Sequence, residues 1–104
     1  HDNDTTLGWW QSVDEKAKHH VRLYYATDGH DIAWTLIRSA LASFAETAIL
    51  PIQDVLSLDS SGRMNTPSVG LGNWGWRMSP GALDDFVTER LRNMSYLYGR
   101  HPSK

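Results

Sequence analysis

Apolar residues at Ala33, Leu36, Ile37, Ala40, Leu41 and Phe44 follow one another at steps of three and one. That spacing is the stripe of a helix packed on a core. Before it, Ser12-x-x-Glu15 has the form of a capping box. It predicts a helix through Ala17, Val21, Tyr24 and Tyr25, stopped at Asp28-Gly29. Thr47-Ala48-Ile49-Leu50-Pro51-Ile52 is short, apolar and bounded, which predicts a fully buried strand ending near Pro51. Residues 53–58 are expected to form a helical turn. Residues 59–80 read as a long loop rich in Gly, Ser, Asn and Pro that nonetheless carries Trp74 and Trp76. Leu83, Phe86, Val87, Leu91, Met94, Leu97 and Tyr98 mark a last amphipathic helix, opened by the carboxylates from Asp84 to Glu89 and closed by Gly99.

This inventory is physically unbalanced. About three helices surround one buried strand, and one strand has no partner for its backbone groups. A helix, a parallel-type strand and a helix are the rhythm of a unit cut from a larger α/β sheet. The expected fold class is therefore α/β, and the segment reads as incomplete.

Composition narrows the function only by exclusion. The 104 residues are 40% hydrophobic and 21% charged, with a net charge of −2. No basic footprint for nucleic acid is present. The longest apolar run, residues 48–52, is far short of the ~20 residues that span a bilayer. Cysteine is absent, which removes disulfide and thiolate chemistry. The chain starts His1-Asp2-Asn3-Asp4 rather than with Met, so its true N-terminus, and any targeting segment, are expected upstream. Five Trp and four Tyr supply flat amphipathic surface that suits packing and sugar stacking alike.

The polar opening His1-Asp2-Asn3-Asp4-Thr5-Thr6 is followed by Gly8-Trp9-Trp10. Asp, Asn and Thr there fit a capped turn. A metal reading of His1, Asp2 and Asp4 needs further ligands that no spaced His pair supplies. His19 and His20 are adjacent and do not share a helix face, and isolated His30 fits a surface or capping place. Asp54 has the look of a helix cap. Arg63 fits either a loop-orienting role or a pair with a carboxylate. Asn65, before Thr66-Pro67, fits a turn as readily as a ligand contact. Trp9, Trp10, Trp74 and Trp76 are read chiefly as packing.

The opening motif resembles the signature of amylomaltases, the 4-α-glucanotransferases of glycoside hydrolase family 77. The resemblance continues in order through Ala40-Leu41-Ala42-Ser43, Leu50-Pro51-Ile52-Gln53-Asp54-Val55-Leu56, Arg63-Met64-Asn65-Thr66-Pro67, Gly72-Asn73-Trp74-Gly75-Trp76-Arg77 and Leu97-Tyr98-Gly99-Arg100. It implies the C-terminal portion of a (β/α)8 barrel, with 47–52 as its last strand and both the opening motif and the 59–80 loop at the active-site end.

The family transfers α-1,4-glucan segments with retention, through a covalent glycosyl-enzyme and an oxocarbenium-like transition state. Its nucleophile and acid/base motifs lie in earlier strands and are not in this chain. Asp2 matches the third carboxylate, which stabilises the transition state, and His1 the histidine that binds the sugar beside it. Asn65 matches a sugar contact, and Asn73 and Trp74 are expected along the glucan groove. The implied partners are a maltooligosaccharide or starch-type glucan and the N-terminal portion of the same enzyme, with no nucleic acid and no membrane. No cofactor and no metal are implied, since carboxylates carry the chemistry. The expected compartment is the cytoplasm, or a plastid in a plant. By itself the segment is expected to be inactive. The rival readings are a Trp-rich carbohydrate-binding module without catalysis and a packing fragment in which His1-Asp2 is only a turn.

Overall fold

The computed structural model describes residues 3–65 and 73–100. In chain order these form α1 (Thr6–Ser12), α2 (Glu15–Tyr25), α3 (Ile32–Ala42), α4 (Ile52–Val55), a 3-10 turn (Ser60–Gly62) and α5 (Asp85–Leu97).

Helix α3 is the centre. Ile32, Ala33, Trp34, Ile37 and Leu41 are all buried along it. Trp34, Ile37 and Leu41 form the main core with Val55 of α4, and Val87, Leu91 and Met94 of α5, with Tyr98 just after it, pack against that cluster. The periodic stripe was therefore correctly placed except at its end. Phe44 lies beyond Ala42, where the helix stops, and is fully exposed. The predicted face of the last helix is likewise split: Phe86 and Leu97 of α5, and Leu83 ahead of it, remain exposed.

The polar residues set the ends. Asp84 caps α5 by accepting from the Val87 N–H at 3.0 Å. Gly99, at φ +73°, turns the chain out of it. Arg100 then reaches back to α3, donating to the carbonyls of Leu41 at 2.8 Å and Ala45 at 2.6 Å. The capping residue of α2 is Asp14, not Ser12: Asp14 accepts from the Ala17 N–H at 2.9 Å. Ser12 instead ends α1, a helix absent from the sequence reading, and donates its hydroxyl to the Trp9 carbonyl at 2.9 Å. Asp, Asn and Thr serve turns and helix starts equally well, so the opening stretch gave no local reason to choose. Helix α2 ends at Tyr25, before Asp28-Gly29, with Ala26 in the left-handed region at φ 52°.

The expected α/β class with one buried parallel strand is overturned. Among the described residues there is no strand and no sheet. Residues 47–51 carry no regular secondary structure, Pro51 alone being placed as extended backbone at φ −61° and ψ 139°, and Ile52 already opens α4. Ala48, Leu50 and Ile52 pack on the core, while Thr47, Ile49 and Pro51 face outward, Ile49 at 87% exposure. The segment thus has a strand's alternation but is covered on one side only. A strand also needs a neighbouring backbone to complete its ladder, and among the described residues no ladder forms. An apolar run alone cannot say whether such a neighbour is present.

Candidate functional site

The N-terminus of α1 is the polar junction of the molecule. Thr5 is its cap: the hydroxyl accepts from the Gly8 N–H at 3.0 Å, and the residue is only 5% exposed. One residue earlier, Asp4 accepts from the Thr5 N–H at 2.8 Å with one oxygen. Its other oxygen accepts from the Ser60 hydroxyl at 2.7 Å. One residue later, Thr6 donates its N–H and its hydroxyl to the two oxygens of Asp54, each at 2.8 Å. Two carboxylates thus meet the first turn of α1, where unpaired N–H groups and the helix dipole favour negative charge.

Gly8 leaves no room for a side chain unless its neighbours shift. A Cβ there would collide with the Ser60 hydroxyl and stand 2.7 Å from an Asp4 oxygen. Trp10, further along α1, is buried under Lys18 and Arg22 of α2, each 5.7 Å from its ring centroid. Gly29 closes on the same ring, where a Cβ would lie 2.5 Å from Trp10 Cζ2.

The described residues after α4 meet this junction. Asp59 accepts from the N–H and hydroxyl of Ser61 at 3.0 and 2.7 Å, forming the 3-10 turn that presents Ser60. Those bonds, led by the one from the hydroxyl, hold the Asp59 carboxyl below its ordinary value. Gln53 of α4 donates to the Gly62 carbonyl at 3.3 Å. Arg63 donates to the Asn65 carbonyl at 2.8 Å, a bond within the loop. The Trp74 N–H donates to the Met64 carbonyl at 2.6 Å, joining the two sides of the loop at its base. Trp74 takes up φ 65°, an uncommon conformation for a bulky residue, and Arg77 donates to its carbonyl at 3.1 Å.

Between these parts lies a cavity of about 320 Å³, at the lower end of the range for ligand pockets. Its wall includes Asn3, Asp4, Thr5, Asp54, Arg63 and Trp74. A wider depression of about 800 Å³ is walled by α5 alone, so no second element brings polar groups to face it. The sequence-predicted residues distribute unevenly over this geometry. Trp74 stands on the cavity with the residues that follow Asp2. Asn73 is half-buried in the turn that leads into Trp74, and Asn65 is half-buried next to Met64. His1 and Asp2 lie outside the described residues. Among the described residues, no three His, Asp or Glu side chains group as a metal site would. His19, His20 and His30 are exposed, and His30 pairs with Asp28 at 2.7 Å.

The sequence offered Asp54 as a helix cap without its partner. It caps a helix, but the helix is α1, 48 positions away in sequence. Spacing carries no signal of such a contact.

The family described as 4-alpha-glucanotransferase matches residues 1–84. The chain is 49% identical over 104 residues to the chloroplastic/amyloplastic 4-alpha-glucanotransferase of Arabidopsis thaliana, covering 96% of this chain and 18% of that protein. It is 41% identical over 101 residues to the 4-alpha-glucanotransferase of Thermus thermophilus, covering 91% of this chain and 20% of that one. Among solved structures, the amylomaltase of Streptococcus agalactiae in complex with acarbose matches with a TM-score of 0.90 at 29% identity. That match covers 96% of this chain and 20% of the amylomaltase. The chain thus spans about a fifth of the length of the relatives it matches.

Proposed function

Since this chain belongs to the 4-alpha-glucanotransferase family, we propose that it works as the C-terminal part of a longer enzyme that moves α-1,4-glucan segments between maltooligosaccharides or starch-type glucans. The reaction is a retaining double displacement. A carboxylate attacks the anomeric carbon and forms a glycosyl-enzyme, while a carboxylic acid protonates the leaving oxygen. The acceptor hydroxyl, deprotonated by the same group, then takes the glucosyl unit. Both groups come from the remainder of the enzyme.

This chain contributes what surrounds them. Asp2 places negative charge by the oxocarbenium-like centre, and such a preorganised charge helps because the positive charge is largest in the transition state. His1 and Asn65 hydrogen-bond the sugar, and Asn73 and Trp74 line the groove, Trp74 offering a flat face to a sugar ring. No cofactor or metal takes part. The enzyme works in the cytoplasm, or in a plastid if its source is a plant.

The observation that carries this reading is the convergence of residues 3–5 and Trp74 on one cavity. Acarbose occupies the structurally similar amylomaltase, which supports a glucan-like ligand here. The test is incubation of the longer protein with maltotriose. Release of glucose with growth of longer maltooligosaccharides is the expected result. Binding without turnover would replace it with the carbohydrate-binding reading, and neither binding nor turnover would leave only a packing fragment.

A further inference from the structure

We propose that Asp54 is a positioning residue for this transfer reaction: it fixes the start of α1, and with it residues 3–6, against the loop that carries Trp74. The inference rests on the glucanotransferase reading above, since it concerns where that reading's sugar-binding stretch is held.

Three observations lead to it. Both oxygens of Asp54 are spent on one residue, Thr6, through its N–H and its hydroxyl at 2.8 Å each. Two bonds to one residue restrict rotation as well as separation, which a single cap bond does not. The base that carries the carboxylate is itself tied on both sides. Gln53 donates to the Gly62 carbonyl at 3.3 Å, and the carbonyl of buried Val55 accepts from the Trp34 indole at 3.1 Å. Three consecutive residues of α4 therefore bind the loop, α1 and the core in turn. Finally, α1 has anchors besides Asp54. Thr5 already caps it, and Trp10 buries its far end. What Asp54 adds is placement. Thr6 stands four positions after Asp2, so its placement limits where the opening motif can reach.

Misplacing a reacting or binding group by about 1 Å can cost on the order of 10²-fold in rate. The experiment measures transfer from maltotriose, acarbose affinity and thermal midpoint in the longer enzyme carrying Asp54→Ala, Asp54→Asn, Thr6→Val or Thr6→Ser. Asp54→Ala is expected to lower kcat/KM by roughly 10- to 100-fold in protein that still unfolds cooperatively. Asp54→Asn should recover activity to within several-fold, because its oxygen still accepts the Thr6 N–H and its amide can donate to the hydroxyl. Thr6→Ser should behave as wild type and Thr6→Val should follow Asp54→Ala in direction. The Asp54→Ala/Thr6→Val double variant should be no worse than Asp54→Ala, since both remove one interaction. If Asp54→Ala is too unstable to assay, the Asn and Thr6 variants decide alone. Folded Asp54→Ala or Thr6→Val protein with a lowered midpoint but kcat/KM within twofold of wild type would overturn the positioning role and leave the transferase reading standing. Wild-type enzyme without transfer activity would overturn both.

Discussion

Gly8→Ala sets two physical effects of opposite sign against each other. In a helix, replacing Gly by Ala is worth about 1 kcal/mol in favour of folding, through lost chain entropy in the unfolded state. At this position, however, the new methyl collides with the Ser60 hydroxyl and stands 2.7 and 2.8 Å from the two oxygens of Asp4. Ser60 and Asp4 are joined by a 2.7 Å hydrogen bond, so moving either side chain aside by itself weakens or breaks it. A hydrogen bond to a charged group is worth about 1.5–3 kcal/mol, and its exposure here places it toward the low end. Forcing a methyl into filled space adds about 1 kcal/mol or more. The net expectation is a loss of about 1–3 kcal/mol, read by denaturant or thermal unfolding of the longer enzyme. Ser60→Ala removes both the nearest atom and the bond. In that background Gly8→Ala should therefore cost less, by about 1–2 kcal/mol in a double-mutant cycle. A Gly8→Ala protein more stable than wild type would refute the reasoning, because propensity would then have outweighed packing.

Asp2→Asn should leave the thermal midpoint unchanged and lower transfer from maltotriose by ~10²- to 10³-fold; a loss below tenfold would make Asp2 a turn residue. Asn65→Ala should cost ~1–3 kcal/mol in kcat/KM and less in stability, whereas a lowered midpoint with unchanged activity would favour the turn. His30 should titrate above its ordinary 6.5, because the Asp28 carboxylate accepts its hydrogen bond and attracts its charge. The folded pKa being raised, the stabilisation is complete below 6.5 and is lost as pH rises through the folded value. NMR titration of the imidazole checks this, and Asp28→Asn should bring the value back down.

The family was legible in sequence, because ordered motif blocks survive without any knowledge of the fold, and the match over residues 1–84 bears that reading out. The core face of α3, and part of that of α5, were legible for a different reason. A helix repeats every 3.6 residues, so its buried stripe is written in local spacing, and caps such as Asp84 act within three residues of themselves. Contacts formed at a distance had no such trace. The Asp54–Thr6 and Ser60–Asp4 bonds join residues 48 and 56 positions apart, and only the folded backbone decides that they meet. The same holds for residues 47–51. Their composition says they are apolar, but strand identity belongs to a pair of backbones rather than to one. The exposure of Phe44 follows from where α3 stops, at Ala42, and the apolar period itself does not encode that end. What the sequence determined on its own was local periodicity and ancestry; which polar groups gather around the cavity was decided by tertiary structure, because hydrogen bonds act over about 3 Å whatever the separation in sequence.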